Sequence, residues 1–322
     1  ILAKPGQDSL YYVFHMDAAL QSFNDPEKLY YSVYNMNTDK MEGRAVLLDT
    51  TSEKITAIRH CNGRNWWVIG MKGTGNEFYA WLLTTTGLVS TPIISKSGFE
   101  HLMNSVSYPY YINAGYLKSS HDGSLLTEIT VGDLNQPGFI EMHSFDPATG
   151  KISFLTQLTI ALPRGSLYAC EYSPDNRYLY VTTHSIWQFD LSVVDSASLM
   201  KSLKVFDFSS YNLGNRGSLV LGPDGRMYMT SFWKNDLHLI PEPNKPYPEC
   251  GFIPRYINVG SQTGLAAPQY TSGLMWPYKA YMRGPNSICR TDTSKWYLTD
   301  PCTHEKLVWT LPDGGNILES GD

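Results

Sequence analysis

The chain has 322 residues and a formal net charge of −5, with 13% aromatic residues (including 22 Tyr) and 17% charged residues. No cluster of Lys and Arg occurs, which argues against sequence-independent nucleic-acid binding, and no apolar run reaches the roughly 18 residues that a membrane-spanning helix needs. Aromatic and branched side chains at this density favour β-strands packed face to face.

Five short polar turns recur along the chain, and each is followed at once by an aromatic or aliphatic run. They are Gly6-Gln7-Asp8-Ser9, Asn62-Gly63-Arg64-Asn65, His121-Asp122-Gly123-Ser124, Pro174-Asp175-Asn176-Arg177 and Pro223-Asp224-Gly225-Arg226. In such turns Asp or Asn bonds its own backbone, and Gly or Asn accepts the left-handed conformation. Successive turns lie roughly 50 to 60 residues apart, which is typical of β-propeller blades.

Each unit predicts four strands, as the unit around Asp175 illustrates. Its strands are predicted at 166–172, 178–183, 186–191 and 203–208. The best helical candidate, 192–204, is predicted to belong to a connection between strands. Residues 145–151 predict a second turn type, placed between the third and fourth strands of a blade.

The connections between second and third strands are predicted at 16–28, 71–77, 132–138, 184–185 and 233–236. In a propeller these tips share one face with the connections between blades. We therefore predict the ligand face there, because loops carry specificity on a rigid scaffold. The alternative is that the tips are only solvated turns.

The turn pattern ends near residue 270, and the composition changes from residue 278. We predict an all-β chain with a β-propeller at 1–280 and a partial β-sandwich at 281–322, which is too short for a core of its own. We expect a propeller of about six to seven four-stranded blades. The N-terminal part of this propeller can be incomplete in this sequence.

The five cysteines form no CxxC pair, which argues against a zinc ribbon or a redox motif. Cys61 lies beside a turn and Cys170 lies within an apolar strand, so both are predicted to be inert buried thiols. Cys289 and Cys302 could pair locally. No role is assigned to Cys250.

Candidate catalytic side chains were sought among the histidines and acids. His15, His60 and His184 show no HxH or HExxH spacing, so we predict hydrogen-bonded structural histidines and no metal site. Paired acids could serve glycoside chemistry if two converged on one face. The acids at variable tips are Asp17, Glu77, Asp133 and Asp236. Single acids at turns are usually solvated, whereas Asp175 and Asp224 are assigned backbone roles as turn formers.

Other motifs give no stronger signal. Ser32, Ser166 and Ser218 lack the GxSxG context of a nucleophile elbow. The glycines at 70–75 join two strands instead of opening a helix, so they predict a hairpin tip and not a phosphate site. Trp233 could stack on a sugar ring or pack in the core. We assign no catalytic, cofactor-binding or metal-binding residue, and no cofactor.

Several segments occur in an order that resembles one known family. They are Leu10-Tyr11-Tyr12-Val13-Phe14, residues 29–36, residues 53–63 with Trp66-Trp67-Val68, residues 78–84, Glu171-Tyr172-Ser173-Pro174-Asp175 and residues 221–228. This order resembles the propeller region of large surface proteins exported by type IX secretion in Bacteroidota.

The C-terminal residues resemble the first half of a PKD-type immunoglobulin-like domain. The similarity rests on Cys289, Asp292-Thr293 and Trp309-Thr310-Leu311-Pro312-Asp313-Gly314. The usual pattern there is Trp-x-Phe-Gly-Asp-Gly, so Leu311 and Pro312 depart from it.

These resemblances imply a longer secreted polypeptide, with further blades before this chain and more repeats and a sorting domain after it. We predict a non-enzymatic extracellular scaffold for binding or display within a cell-surface, adhesin-like protein. The implied partners are a protein or glycan at the loop face, the type IX secretion machinery, other domains of the same polypeptide and copies of itself. The alternatives are a secreted hydrolase or lyase acting on polysaccharide, or a structural subunit of a fibre or surface layer. Three or more acids or histidines converging at the axial mouth would favour the enzyme.

Overall fold

The computed structural model describes residues 1–16, 27–101, 114–131, 138–159, 167–183, 185–206, 215–264, 271, 281–283 and 297–299. The chain forms two units, Ile1–Tyr278 and Lys279–Asp322. In the second unit the described residues form an antiparallel pair of short strands, which are Tyr281–Arg283 and Tyr297–Thr299. The PKD-like sandwich at 281–322 stays a prediction, and the pairing of Cys289 with Cys302 falls outside the described residues.

The described residues of the first unit form five antiparallel sheets, four of which are meanders of four strands in chain order, while the sheet of blade 2 has one additional short strand. Blade 1 contains β1 (Leu2–Lys4), β2 (Gln7–Met16), β3 (Leu29–Asn35) and β4 (Lys40–Leu48). Blade 2 contains β5 (Thr51–Arg59), β6 (Trp66–Lys72), β7 (Gly75–Thr84) and β9 (Ile93–His101), with the two-residue β8 (Gly87–Leu88) also paired to β7. Blade 3 contains β10 (Gly115–Ser119), β11 (Leu125–Thr130), β12 (Phe139–Phe145) and β13 (Ile152–Thr159).

Blade 4 contains β14 (Cys170–Tyr172), β15 (Tyr178–Thr182), β16 (Ile186–Asp190) and β17 (Lys204–Phe206). Blade 5 contains β18 (Asn215–Leu221), β19 (Met227–Phe232), β20 (Asp236–Ile240) and β21 (Ile253–Asn258). The strand order predicted for the unit around Asp175 is therefore confirmed. The helical candidate becomes a single short helix, α1 (Ser196–Ser202), which joins β16 to β17 and is capped by Asp195.

The all-β propeller arrangement is confirmed, but the predicted number of blades is wrong. The described residues form five blades, not six or seven. The reason lies in the length of each unit, because every blade with its connections uses roughly 50 to 60 residues. Residues 1–280 therefore hold as many blades as there are turn signals.

The five polar turns join the first and second strands of the five blades, as predicted. Asn62, Asp122, Asp175 and Asp224 each accept a hydrogen bond from the backbone amide two residues later. A left-handed residue completes each turn, and these residues are Gly6, Gly63, Gly123, Asn176 and Gly225. We call this side of the propeller the turn end, and the side carrying the connections between second and third strands the tip end.

Consecutive blades pack face to face because side chains of alternating strand positions are buried on opposite faces. In β6, Trp66 and Val68 pack towards blade 1, whereas Trp67, Ile69 and Met71 pack towards blade 3. Similar apolar clusters join blade 3 to blade 4 and blade 4 to blade 5. The first strands of blades 2 to 5 lie against one another in the same order, which leaves these strands on the inside of the propeller.

The cysteine predictions are met at one of two positions. Cys170 is a buried free thiol, as predicted, and Cys250 is another. The prediction for Cys61 is wrong, because Cys61 is disulfide-bonded. Cys61 lies at the edge of a turn, and nothing in the sequence around it distinguishes a disulfide-bonded cysteine from a free one. Among the described residues, no helix has the length and apolar character to cross a membrane.

Candidate functional site

The predicted histidines have local partners in separate blades. His15 stacks on Tyr30 with ring centroids 5.4 Å apart, and its Nε2 lies 3.4 Å from Ser32 Oγ. His60 lies in the turn of blade 2, where it stacks on Trp67 and its Nδ1 accepts the Asn62 amide. Burial lowers the pKa of His60. These contacts support structural roles, whereas His184 falls outside the described residues.

The acids predicted at the tips do not meet in the described part of the chain. Glu77 in blade 2 lies 3.1 Å from Lys72 Nζ and 3.4 Å from Lys96 Nζ. The hydrogen bond from Lys72 lowers the pKa of Glu77. Asp236 in blade 5 lies 3.8 Å from Arg255 Nε. Asp17 and Asp133 fall outside the described residues.

The serines and glycines lie as their strand context predicts. Ser32 and Ser218 are buried within β3 and β18, and Ser166 falls outside the described residues. Gly70 belongs to β6 and Gly75 begins β7. The glycine segment is therefore a hairpin tip, as predicted.

A charged cluster that sequence reasoning missed lies between blades 2 and 3. Lys54 of β5 donates to Glu128 Oε1 at 2.7 Å and to Thr130 Oγ1 at 2.8 Å, and both acceptors belong to β11. Lys54 is 1% exposed and Glu128 is 0% exposed. A charge transferred from water into such a site is tolerated only when it is paired. The pair therefore links a strand of blade 2 to a strand of blade 3.

Two further ionisable groups complete this interblade cluster. Glu141 and His143 occupy alternate positions of β12, so they share a face, and Glu128 lies directly opposite Glu141. Both side chains are fully buried. Glu141 Oε1 accepts the Phe99 amide of β9 at 3.0 Å, and His143 Nδ1 lies 2.8 Å from Ser97 Oγ.

The backbone of β9 approaches this cluster closely at Gly98. Gly98 has a φ of 80°, and a Cβ placed there would lie 2.4 Å from Glu141 Oε2. Only glycine fits both the left-handed conformation and the short distance. The close approach is what allows the next amide, that of Phe99, to reach the carboxyl group.

The sheet geometry explains how polar residues came to face blade 2. Ile140 and Met142 of β12 pack into the cluster shared with blade 4. Glu141 and His143 alternate with them, and they therefore face blade 2. The sequence signal was a charged residue and a histidine alternating with apolar residues in a strand buried on both faces.

Burial dominates the electrostatics of Glu141. Burial, and to a smaller extent the neighbouring charge of Glu128, raise the pKa of this carboxyl group to about 8 against the opposing effects of the Phe99 amide and Lys54. Glu141 is therefore mainly protonated at neutral pH, while Lys54 and Glu128 form the ion pair. One positive and one negative charge then balance inside the interface.

Ser97, His143 and Glu141 follow the order of a nucleophile, a base and an acid, yet they lack what catalysis needs. His143 Nε2 lies 3.8 Å from Glu141 Oε2, and a protonated carboxyl group does not supply the negative charge that orients a catalytic imidazole. Ser97 is 4% exposed and the other two side chains are fully buried. A substrate has no direct access to these atoms in this arrangement.

The same groups have the chemistry of metal ligands. Glu128, Glu141 and His143 each offer a ligand atom within 4.8 Å of the others. The Lys54 ammonium already supplies a cation 2.7 Å from Glu128. A divalent ion would have to compete with that ammonium, so the arrangement fits an internal ion pair better than a metal site.

Replacing Glu141 by Gln should flatten the pH dependence of stability. Below about pH 4.5 the folded and unfolded chains both carry the proton, so the stabilising contribution of the protonated group is fully present. As the pH rises towards about 8, the unfolded chain ionises first, and the free energy of unfolding falls by at most about 1.4 kcal/mol per pH unit. Gln cannot ionise, so Glu141→Gln should gain stability relative to the wild type between pH 5 and pH 8.5 in urea unfolding. Parallel pH profiles for the two proteins would contradict this assignment.

A second buried ion pair joins the inner strands of blades 3, 4 and 5. Glu171 of β14 lies 2.9 Å from Lys118 Nζ of β10, and its Oε2 also accepts the Leu221 amide of β18 at 3.2 Å. Its Oε1 accepts the amide of Tyr172. Both ionised side chains are almost fully buried. The carboxylate therefore connects three consecutive blades near the inside of the propeller.

At the tip end, the structure places Trp233 on the surface. Trp233 lies in the connection between β19 and β20 and is 63% exposed. The sequence left open whether Trp233 packs in the core or is exposed at a tip. This position excludes packing in the core.

Comparisons with known proteins give structural similarity only. No protein-family model matches the chain, and no curated protein matches it. The periplasmic gluconolactonase PpgL of Pseudomonas aeruginosa aligns at 15% identity and a TM-score of 0.49, over 72% of this chain and 64% of that one. A putative 6-phosphogluconolactonase of Bacteroides fragilis aligns at 14% identity and a TM-score of 0.45, over 74% and 65%.

Chaetomium thermophilum Sqt1, solved bound to the N-terminus of ribosomal protein L10, aligns at 12% identity and a TM-score of 0.43, over 84% of this chain and 62% of that one. The chain thus spans less than two thirds of the length of each of these structures. At such identities and TM-scores the similarities assign no activity to it.

Proposed function

We propose that this chain is a non-enzymatic extracellular scaffold that binds or displays a partner at the tip end of its propeller. The observation that carries the proposal is the difference between the two ends. The turn end carries short turns of one repeated design, together with longer connections from Asp190 to Lys204 and from Ile240 to Ile253 whose Leu199 and Cys250 are buried in the apolar clusters. The tip end carries connections of unequal length, such as those from Met16 to Leu29, from Lys72 to Gly75 and from Thr130 to Phe139.

The fourth strands of blades 2, 3 and 4 end, and the first strands of blades 3, 4 and 5 begin, at this same end of the propeller. Unequal connections on a rigid frame are the usual way in which a fold gains specificity. The frame here is held by apolar clusters and by the buried pairs Lys54–Glu128 and Lys118–Glu171.

The position of the ionisable groups supports binding over catalysis. Within the described residues, Glu128, Glu141 and His143 converge, but they do so inside a blade interface and not at an open mouth. A general acid or base must come within hydrogen-bonding distance of its substrate. This supports the scaffold over a polysaccharide hydrolase or lyase. The extracellular location rests on the resemblance of the sequence to exported surface proteins.

An orientation experiment tests the proposal. Arg64→Cys adds an exposed thiol at the turn end, and Ser261→Cys adds one at the tip end. Cys170 and Cys250 are buried, so a biotin-maleimide reagent should modify the new thiols. Each protein is then immobilised on streptavidin and exposed to arrays of glycans and of extracellular proteins. We expect binding when the chain is attached through Arg64→Cys and loss of that binding when it is attached through Ser261→Cys.

Two results would contradict the proposal. One is that ligands bind equally in both orientations, which would place the binding surface away from the tip end. The other is the release of new reducing ends from an arrayed polysaccharide, which would show hydrolysis or elimination instead of binding alone.

A further inference from the structure

Trp233 combines exposure with an unfavourable backbone conformation. The residue is 63% exposed and has a φ of 66°. Bulky side chains rarely occupy the left-handed region, because the Cβ atom approaches the backbone too closely. Such an outlier persists only where its surroundings hold it, and it motivates a search for a function.

The turn that carries Trp233 is held by hydrogen bonds from both sides. The Lys234 amide donates to Ser231 O at 3.0 Å, and the Trp233 amide donates to Thr263 O at 3.2 Å. In return, Thr263 donates its amide to Lys234 O at 2.7 Å and its hydroxyl to Ser231 O at 2.5 Å. The indole packs edge to face against Phe232, with centroids 5.2 Å apart. The backbone of the turn is therefore fixed, and the exposed ring is supported on one side by Phe232.

A neutral histidine supports this turn from below. His238 Nδ1 accepts the Arg255 amide at 2.9 Å, so its Nε2 carries the proton and donates to Ser231 Oγ at 2.6 Å. Burial lowers the pKa of His238 to about 4. The base of the turn therefore keeps one hydrogen-bonding pattern at neutral pH.

Hydrogen-bonding groups follow the exposed ring along the turn. Lys234 is half-buried, Asn235 is exposed, and Asp236 lies 3.8 Å from Arg255 Nε. An apolar aromatic face next to amide, ammonium and carboxylate groups is a mixed surface. A partner that fits it has one apolar face and polar groups around its edge.

We propose that Trp233 is a stacking platform for a sugar ring of a neutral polysaccharide. The inference rests on the proposed function of the tip end and names its ligand class. A pyranose ring presents axial C–H groups on one face and hydroxyl groups at its edge, which suits an exposed indole followed in the same turn by Asn235 and Asp236. A ring that stands on a held backbone and rests against Phe232 loses less conformational freedom when the sugar binds than a ring on a mobile loop would lose. A protein partner would instead need a wider buried apolar centre, whereas the three residues after Trp233 in this turn are polar.

Native affinity electrophoresis tests this assignment with four neutral probes, which are galactomannan, xyloglucan, laminarin and mixed-linkage β-glucan. We expect at least one of them to retard the wild-type chain. Trp233→Ala should raise the dissociation constant at least tenfold, and Trp233→Phe should retain part of the affinity. The control is Tyr256→Ala in the same blade, because Tyr256 is 43% exposed and its hydroxyl lies 3.4 Å from Arg226 at the turn end. This control should leave the retardation unchanged.

Trp233→Gly separates a role in binding from a role in folding. Glycine accepts a φ of 66° without strain, so the melting temperature of this variant should equal or exceed that of the wild type. Its retardation should nevertheless be lost. A lower melting temperature together with unchanged retardation would show that Trp233 serves the fold alone.

The remaining outcomes distinguish this inference from the proposed function. If a polysaccharide retards the wild type and Trp233→Ala equally, the stacking platform is wrong while binding by the scaffold stands. If none of the four probes retards the wild type, the neutral-polysaccharide assignment is overturned. The scaffold is then judged by the orientation experiment with arrayed proteins.

Discussion

Replacing Lys54 by Met should lower the free energy of unfolding by about 3 to 5 kcal/mol. The ammonium lies 2.7 Å from Glu128 Oε1, and both side chains are buried between blades 2 and 3. Met fills a similar volume but leaves the Glu128 carboxylate without this cation in a site shielded from water. The cost is that of an uncompensated buried charge, which greatly exceeds the worth of an exposed pair. Urea unfolding followed by tryptophan fluorescence measures the change.

Lys72→Met is the matched control for this substitution. Its partner Glu77 lies 3.1 Å away, but the two side chains are 40% and 22% exposed, so the loss should be about 1 kcal/mol or less. The double variant Lys54→Met with Glu128→Gln carries no isolated charge and should recover at least half of the loss. If Lys54→Met cost no more than Lys72→Met, the buried pair would not hold these blades together.

The turns and strands could be predicted because their causes are local. Asp175 and Asn176 specify a turn through their own side chain and backbone preferences, and Tyr178 and Tyr180 alternate with Leu179 and Val181 as a strand buried on both faces requires. The number of blades was overestimated, although the five turn signals already matched the five blades that the described residues form.

The interblade cluster could not be predicted because it depends on distant parts of the chain. Lys54 and Glu128 are separated by 74 residues, and only the packing of β5 against blade 3 brings them together. A strand pattern shows that Glu141 and His143 share a face, but not which groups oppose them. The exposure of Trp233 is of the same kind, since a tryptophan at a strand end is compatible with either a core or a surface position.

Glu171→Gln should produce the other large loss, also about 3 to 5 kcal/mol. The carboxylate neutralises Lys118 at 2.9 Å and accepts the Leu221 amide at 3.2 Å. Gln removes the negative charge that faces Lys118, and its neutral amide oxygen is a weaker acceptor than the carboxylate for both the Lys118 ammonium and the Leu221 amide. Because this side chain links the first strands of three blades, the damage should spread beyond blade 4. Urea unfolding gives the loss, and hydrogen exchange should show faster exchange of the Leu221 amide.

The control for Glu171→Gln is the same chemical change at Glu249, which is exposed and should alter stability by no more than about 0.5 kcal/mol. Combining Glu171→Gln with Lys118→Met removes both charges, so this variant should be more stable than Glu171→Gln alone. The Leu221 amide should still exchange faster than in the wild type, because its acceptor remains altered. The carboxylate has two roles, which are to neutralise Lys118 between blades 3 and 4 and to accept the Leu221 amide of blade 5. If stability recovers while the Leu221 amide still exchanges fast, the two roles are separate. Wild-type stability in Glu171→Gln would show that neither task contributes to holding the blades together.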